Sequence, residues 1–372
     1  MTKRARTRVF TAALTAALTL MAASCSVDTG SDTGASASGA SASGEGRTLT
    51  VTAFAGAWSD TFTKAFVVPF EERTGAKVEL VPGGSSEWLT KLREANGTNP
   101  PYDLMAFTPD ITAQAVRANL LEPLDGSKID GFSDLSTVLV EHAGIDGTTY
   151  GLPLTTGSTG LAYRTDKIST PPTDWSDLFD PEYCGHVGLP PLTYNPGLEM
   201  LAGLIQENGG SMSDQASVDQ AFDQLAQLQG CVSTYPADSG SMQTALQNGD
   251  AWIVPWWDGR VFAMAQQGVP VDFVYPASGA VGALTSYYLA RGSQNSDLAY
   301  EFLNELAKPE NQQVFAEGTW YAASNENNTY SSDFADKIRY GNEVYEGFAW
   351  VDYDAVVPQL NAWQEKWNEL FS

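Results

Sequence analysis

From residue 47 onward the chain switches repeatedly between short apolar or alternating runs and segments whose apolar residues recur every three or four positions. The first pattern suits a strand, the second a helix with one buried face. Thr48 to Phe54 reads as a strand. Ser59 then reads as the N-cap of a helix that carries Phe62, Phe66 and Phe70 at four-residue spacing and stops at Gly75. Pro69 has no amide hydrogen to donate and is expected to kink that helix. Ala76 to Val81 reads as the next strand and Ser86 to Ala95 as a helix. Tyr102 to Phe107 follows as a third strand, then Asp110 to Asn119 as a helix capped by Asp110. A β-α-β-α-β order predicts a parallel sheet with right-handed crossovers, and such sheets take ligands at the carboxyl ends of their strands. The loops Ala55 to Trp58 and Thr108 to Asp110 are thus the first candidate contacts.

The same alternation continues through strand-like runs at Gly160 to Tyr163, Trp252 to Pro255 and Val271 to Tyr275. Helical patterns lie at Gly197 to Glu207, Ser217 to Leu228 and Ser296 to Leu306. Near the end, Val356, Leu360, Trp363, Trp367 and Leu370 share one helical face, so the C-terminal segment is expected to dock. The fold class is α/β. Residues 47–372 exceed what one hydrophobic core usually serves, so two lobes are expected.

The first residues follow a different rule. Lys3, Arg4, Arg6 and Arg8 precede an apolar stretch from Val9 to Ala23, too short to span a bilayer, and small residues then lead to Cys25. Residues 1–24 read as a secretion signal. Small residues before a cysteine resemble the lipobox of bacterial lipoproteins, with Ala22 where that motif usually has Leu, and the resemblance implies a lipid on Cys25. Residues 25–46 are nearly all Ser, Gly, Ala, Thr and Asp after the cysteine and cannot bury enough to fold, which makes them a tether.

Composition narrows the function. With 20 basic and 45 acidic residues the net charge is −25, so nucleic acid is repelled and is not an expected partner. If Cys25 is lipidated, the remaining two cysteines, Cys184 and Cys231, are disulfide candidates in an oxidising compartment; two buried free thiols are the alternative. Only His142 and His186 are present, in no metal-binding spacing, and there is no Walker A loop and no G-x-G-x-x-G. Gly157-Ser158-Thr159-Gly160 lacks the G-x-S-x-G spacing of a nucleophile elbow and reads as a flexible crossing between lobes. No catalytic set, no metal site and no cofactor emerge.

Aromatic residues are in excess at predicted strand ends and loops: Trp58, Trp256, Trp257, Tyr287, Tyr288, Trp320 and Tyr321. Rings facing a cleft attract an ammonium group or pack on an alkyl chain, and Asp110 or Asp258 could fix the charge. Arg260, in Trp256-Trp257-Asp258-Gly259-Arg260, either pairs with an anionic group of a ligand or with a protein acid such as Asp258.

Five segments stand out together: Pro69-Phe70-Glu71-Glu72-Arg73-Thr74-Gly75-Ala76-Lys77-Val78, Tyr102-Asp103-Leu104, Tyr150-Gly151-Leu152-Pro153, Asp174-Trp175-Ser176-Asp177-Leu178-Phe179-Asp180-Pro181-Glu182-Tyr183 and Trp257-Asp258-Gly259-Arg260. With them the chain resembles the extracellular solute-binding proteins of ABC importers, in particular the spermidine/putrescine-binding family with its type II periplasmic-binding-protein fold. The resemblance implies a cleft between lobe one (47–154 plus 284–320) and lobe two (155–283 plus 321–372), closing over a small solute that is delivered to permease subunits. It implies a monomer at the outer face of the cytoplasmic membrane, attached only through its lipid. Phe54, Trp58, Trp257 and Tyr321 fall on family aromatics. The family's carboxylate segments here read Thr193-Tyr194-Asn195-Pro196-Gly197 and Gly282-Ala283-Leu284-Thr285-Ser286, without an acid. The expected ligand site is therefore Phe54, Trp58, Asp110, Trp256, Trp257, Asp258, Arg260, Tyr287 and Tyr321, for an amine-bearing solute that is polyamine-like or zwitterionic. Three alternatives stand beside it: a ferric-ion receptor using the adjacent Tyr287 and Tyr288, a secreted hydrolase with a carboxylate pair such as Asp352 and Asp354, and a surface module without a closing cleft.

Overall fold

The computed structural model describes residues 44–371. The secretion signal, Cys25 and most of the tether lie outside them. Among the described residues no helix is long and apolar enough to cross a membrane.

The first strand, β1, covers Thr48–Phe54, where apolar and polar residues alternate. A helix then runs from Ala57–Phe62 through a π-helical stretch, Thr63–Val67, into Val68–Thr74. Its start differs from expectation. Gly56, with φ 83°, is the N-cap, and Ser59 lies inside the first turn with its hydroxyl on the Gly56 carbonyl. Only glycine takes that backbone angle at no cost, which turns the chain sharply beneath the carboxyl end of β1. The expected kink at Pro69 is absorbed by the π-helical stretch just before it. There the chain widens where the missing amide hydrogen and the ring leave no room for a regular turn. Phe62, Phe66 and Phe70 all stay buried as a result.

Strands β2 (Lys77–Gly83) and β3 (Leu104–Phe107) flank β1 in parallel, joined by the helix Ser85–Ala95. The helix Pro109–Arg117 follows β3. Asp110 does not cap it: Thr108 is the N-cap, and Asp110 sits in the first turn, accepting from the Thr108 hydroxyl. The next long strand, β4, runs Gly151–Arg164 and is buried along its whole length. Gly157-Ser158-Thr159-Gly160 lies in its middle as regular strand, at the expected crossing. The glycine serves close packing, since a Cβ on Gly157 would meet the Tyr321 ring at 2.5 Å.

Beyond it come β5 (Val187–Gly188), β6 (Val232–Thr234), β7 (Ile253–Trp257), β8 (Val271–Val274), β9 (Val281–Leu289) and β10 (Ala322–Ala323). The strand order is β2-β1-β3-β9-β4-β7-β5-β6, with β8 and β10 also pairing to β4. Along β4 the partner changes: β9 pairs with its first half and β7 with its second, meeting at Thr159. Leu152 and Leu154 belong to one core, with Phe62, Trp88, Phe107 and Phe302; Leu161 and Tyr163 belong to another, with Trp175, Phe222 and Trp363. A third cluster, including Trp256, Phe262 and Tyr345, covers the other face of β7. Cys184 and Cys231 form a disulfide beside β5 and β6. The C-terminal segment docks as expected, split into Tyr353–Val356 and Leu360–Phe371, with Trp363 and Trp367 buried.

Candidate functional site

The strand exchange along β4 leaves a hollow of about 260 Å³ where the carboxyl ends of β1, β3 and β7 face one another. Phe54 ends β1 and packs edge-on against Trp58 from the next helix, with ring centroids 5.3 Å apart. Trp58 also approaches Tyr321 at 5.9 Å. Trp257 ends β7 on the opposite wall, held edge-on by Tyr194. Phe54, Trp58, Trp257, Arg260 and Tyr321 all line this hollow, so five of the nine expected ligand contacts converge.

Four do not. Trp256 and Trp257 are neighbours on one strand and must face opposite ways; Trp257 takes the hollow, and Trp256 is buried in the core with its indole N–H toward the Tyr194 hydroxyl. Tyr287 is fully buried, stacked on Phe62, and donates its hydroxyl to the Thr52 carbonyl. Its neighbour Tyr288 is buried beside Phe107, so neither phenol can reach an iron ion in the cleft, and the ferric reading loses its ligands. Asp258 is 1 % exposed and points away from the hollow. Its carboxylate accepts from the Ser158 amide (3.1 Å) and hydroxyl (2.9 Å), the Gly259 amide (2.7 Å) and the Tyr275 hydroxyl (3.1 Å). It ties β4 to the helix that presents Arg260, while burial pushes its carboxyl up to about 6. Asp110 lies just behind the lining residues Thr108, Pro109 and Asn195, and accepts a 3.4 Å bond from the Asn195 amide. Burial raises its pKa.

The charge that faces the hollow comes from a residue not anticipated. Glu199 is 4 % exposed, one turn into the helix Asn195–Glu207, whose residues from Pro196 to Ile205 are all buried. One of its oxygens, Oε2, accepts from the Thr159 hydroxyl and, at 2.9 Å, from the Trp257 indole. Burial raises this carboxyl to about 7, against the lowering effect of those two donors. A lone acid on the apolar face of Leu198-Glu199-Met200-Leu201 is the signal that sequence reading could have used. Asn195, Ser239 and Tyr353 add to the polar lining, with Thr108, Thr155 and Thr285.

Arg260 takes part in none of the ion pairs found among the described residues. Its buried Nε has no partner, and the guanidinium neighbours the Tyr321 hydroxyl. The pairing with Asp258 considered from sequence is therefore absent. The site can hold a small solute between rings, with one acid and one base at its walls. Among the described residues no cluster of His, Cys, Asp and Glu is suited to a metal ion.

Residues 65–340 match the family model described as bacterial extracellular solute-binding protein. The chain belongs to that family. The spermidine/putrescine-binding periplasmic protein of Escherichia coli is 24 % identical over 272 residues, covering 72 % of this chain and 76 % of that protein. In fold, an ABC transporter structure from Clostridium perfringens is similar with a TM-score of 0.72 and 25 % identity, covering 87 % of this chain and 100 % of that one. A spermidine/putrescine ABC transporter substrate-binding protein from Streptococcus pneumoniae matches with a TM-score of 0.71 and 19 % identity, covering 86 % and 99 %. This solute-binding protein thus has the α/β fold of the two-domain periplasmic binding proteins. Its relatives are transport proteins, so it is not an enzyme, and the hydrolase alternative is set aside.

Proposed function

We propose that the solute is small and amine-bearing, and that it is held in the hollow lined by Phe54, Trp58, Trp257 and Tyr321. The observation that carries this is the convergence of four rings and the buried Glu199 on one space of about 260 Å³. Aromatic faces attract an ammonium and pack on methylene groups, and a carboxylate in a dry site adds a charge-assisted hydrogen bond. The polyamine named for the Escherichia coli relative belongs to the same broad class of amine.

In this reading lobe one spans 47–154 plus 284–320 and lobe two 155–283 plus 321–372. They hinge about the middle of β4 and β9, and the solute stabilises the closed form that permease subunits accept. Removal of residues 1–24 leaves Cys25 to carry a lipid, so the monomer is tethered at the outer face of the cytoplasmic membrane. Replacing Cys25 with Ser should abolish incorporation of labelled fatty acid and release the protein into the medium; unchanged labelling would remove the anchor.

A thermal-shift screen of amines tests the solute class, since a ligand at 100 times its Kd adds ~2.7 kcal/mol. Trp257→Ala should weaken the strongest hit about 30-fold or more, as the ring contributes both packing and cation–π attraction worth ~2 kcal/mol. Unchanged affinity in that variant would place the solute elsewhere.

A further inference from the structure

The hollow holds one acidic and one basic side chain, Glu199 and Arg260. Glu199 commits Oε2 to Thr159 and Trp257, and its other oxygen accepts no hydrogen bond from the described residues. Arg260 lines the same space with a buried Nε that lacks a partner and with no protein carboxylate in ion-pair range. Asp258, the acid beside it in sequence, is saturated by four donors and directed to β4 instead. A buried guanidinium nitrogen without an acceptor is costly, and a ligand carboxylate relieves it with paired N–H donors. A second ammonium brought to the same wall is repelled by that guanidinium and finds no acid there.

We infer that the solute is a short-chain aminocarboxylate, with its ammonium on Glu199 and its carboxylate on Arg260, rather than a polyamine. The inference rests on the reading of the aromatic hollow as the solute site. Phe54, Trp58, Trp257 and Tyr321 then cover the methylene groups between the two charged ends. A volume of about 260 Å³ lies just under the ~300 Å³ at which sites for drug-sized ligands begin, which suits a compact solute.

Titration calorimetry on the protein, with short straight-chain aminocarboxylates and the amine, carboxylate and diamine of each matched length, tests it. At the best length the aminocarboxylate should bind about 10- to 100-fold more tightly than any of its three matched analogues, the loss of one hydrogen-bonded ionic contact accounting for each deficit. Arg260→Gln should weaken the aminocarboxylate at least 10-fold and so close most of its lead over the amine. Arg260→Glu should turn the preference toward the diamine. A diamine that outbinds the aminocarboxylate at every length, or a ranking that Arg260→Gln leaves intact, would overturn the inference while the amine-binding reading stands. If no amine-bearing compound of the set binds, both fall together.

Discussion

Glu199→Gln is expected to make the unliganded protein more stable at pH 8 and to weaken solute binding about 100-fold. Burial holds this carboxyl at about 7, above the ~4.3 of a solvated glutamate. Between those values the folded protein keeps a proton that the unfolded chain has released, so stability falls as pH rises through that window. Below about pH 4 the group costs nothing. Above pH 7 the folded state carries a buried charge, and the gap in pKa corresponds to about 4 kcal/mol. Glutamine keeps the acceptor for Thr159 and Trp257 and removes the charge. Denaturant unfolding of both proteins should show a difference of about 4 kcal/mol at pH 8 that shrinks toward pH 5. Calorimetry should show the wild type binding more tightly as pH rises from 6 to 8, a dependence absent from the variant. A variant less stable than wild type at pH 8 would mean that the two donors outweigh burial.

Loss of the disulfide is the second large effect. Cys184 and Cys231 are 47 residues apart, and a loop of that size restricts the unfolded chain by about 4 kcal/mol in the chain-entropy model. The double variant Cys184→Ala with Cys231→Ala should lose about that much stability. Reduced wild-type protein should unfold at the same denaturant concentration as the variant. Equal stability of oxidised and reduced protein would show that the cross-link restrains little.

Local patterning made β1 legible to the residue, because alternating apolar positions are bounded by Arg47 on one side and Ala55-Gly56 on the other. It failed on β4. Thr155-Thr156-Gly157-Ser158-Thr159 is neither apolar nor alternating, yet it is buried, paired with β9 along its length and with β10 at Thr155 and Thr156, where small residues let neighbours approach. Strand parity could have separated Trp256 from Trp257, and a strand reading extended to Trp257 would have done so. Asp258 was legible as important but not as to role, since an acid in the first turn of a helix binds local donors as readily as a ligand. Glu199 was not legible from strand ends and loops, because it lies inside a helix rather than at one of them. The decisive clue was instead its place on the buried face of a helix.

Crystallographic density for the protein with the tightest-binding aminocarboxylate would decide the matter most directly. The solute should lie intact among Phe54, Trp58, Trp257 and Tyr321, its nitrogen within hydrogen-bond reach of Glu199 and its carboxylate on Arg260. Density in the adjoining hollow of about 640 Å³ beside His142 and Trp350, with the aromatic site empty, would contradict it.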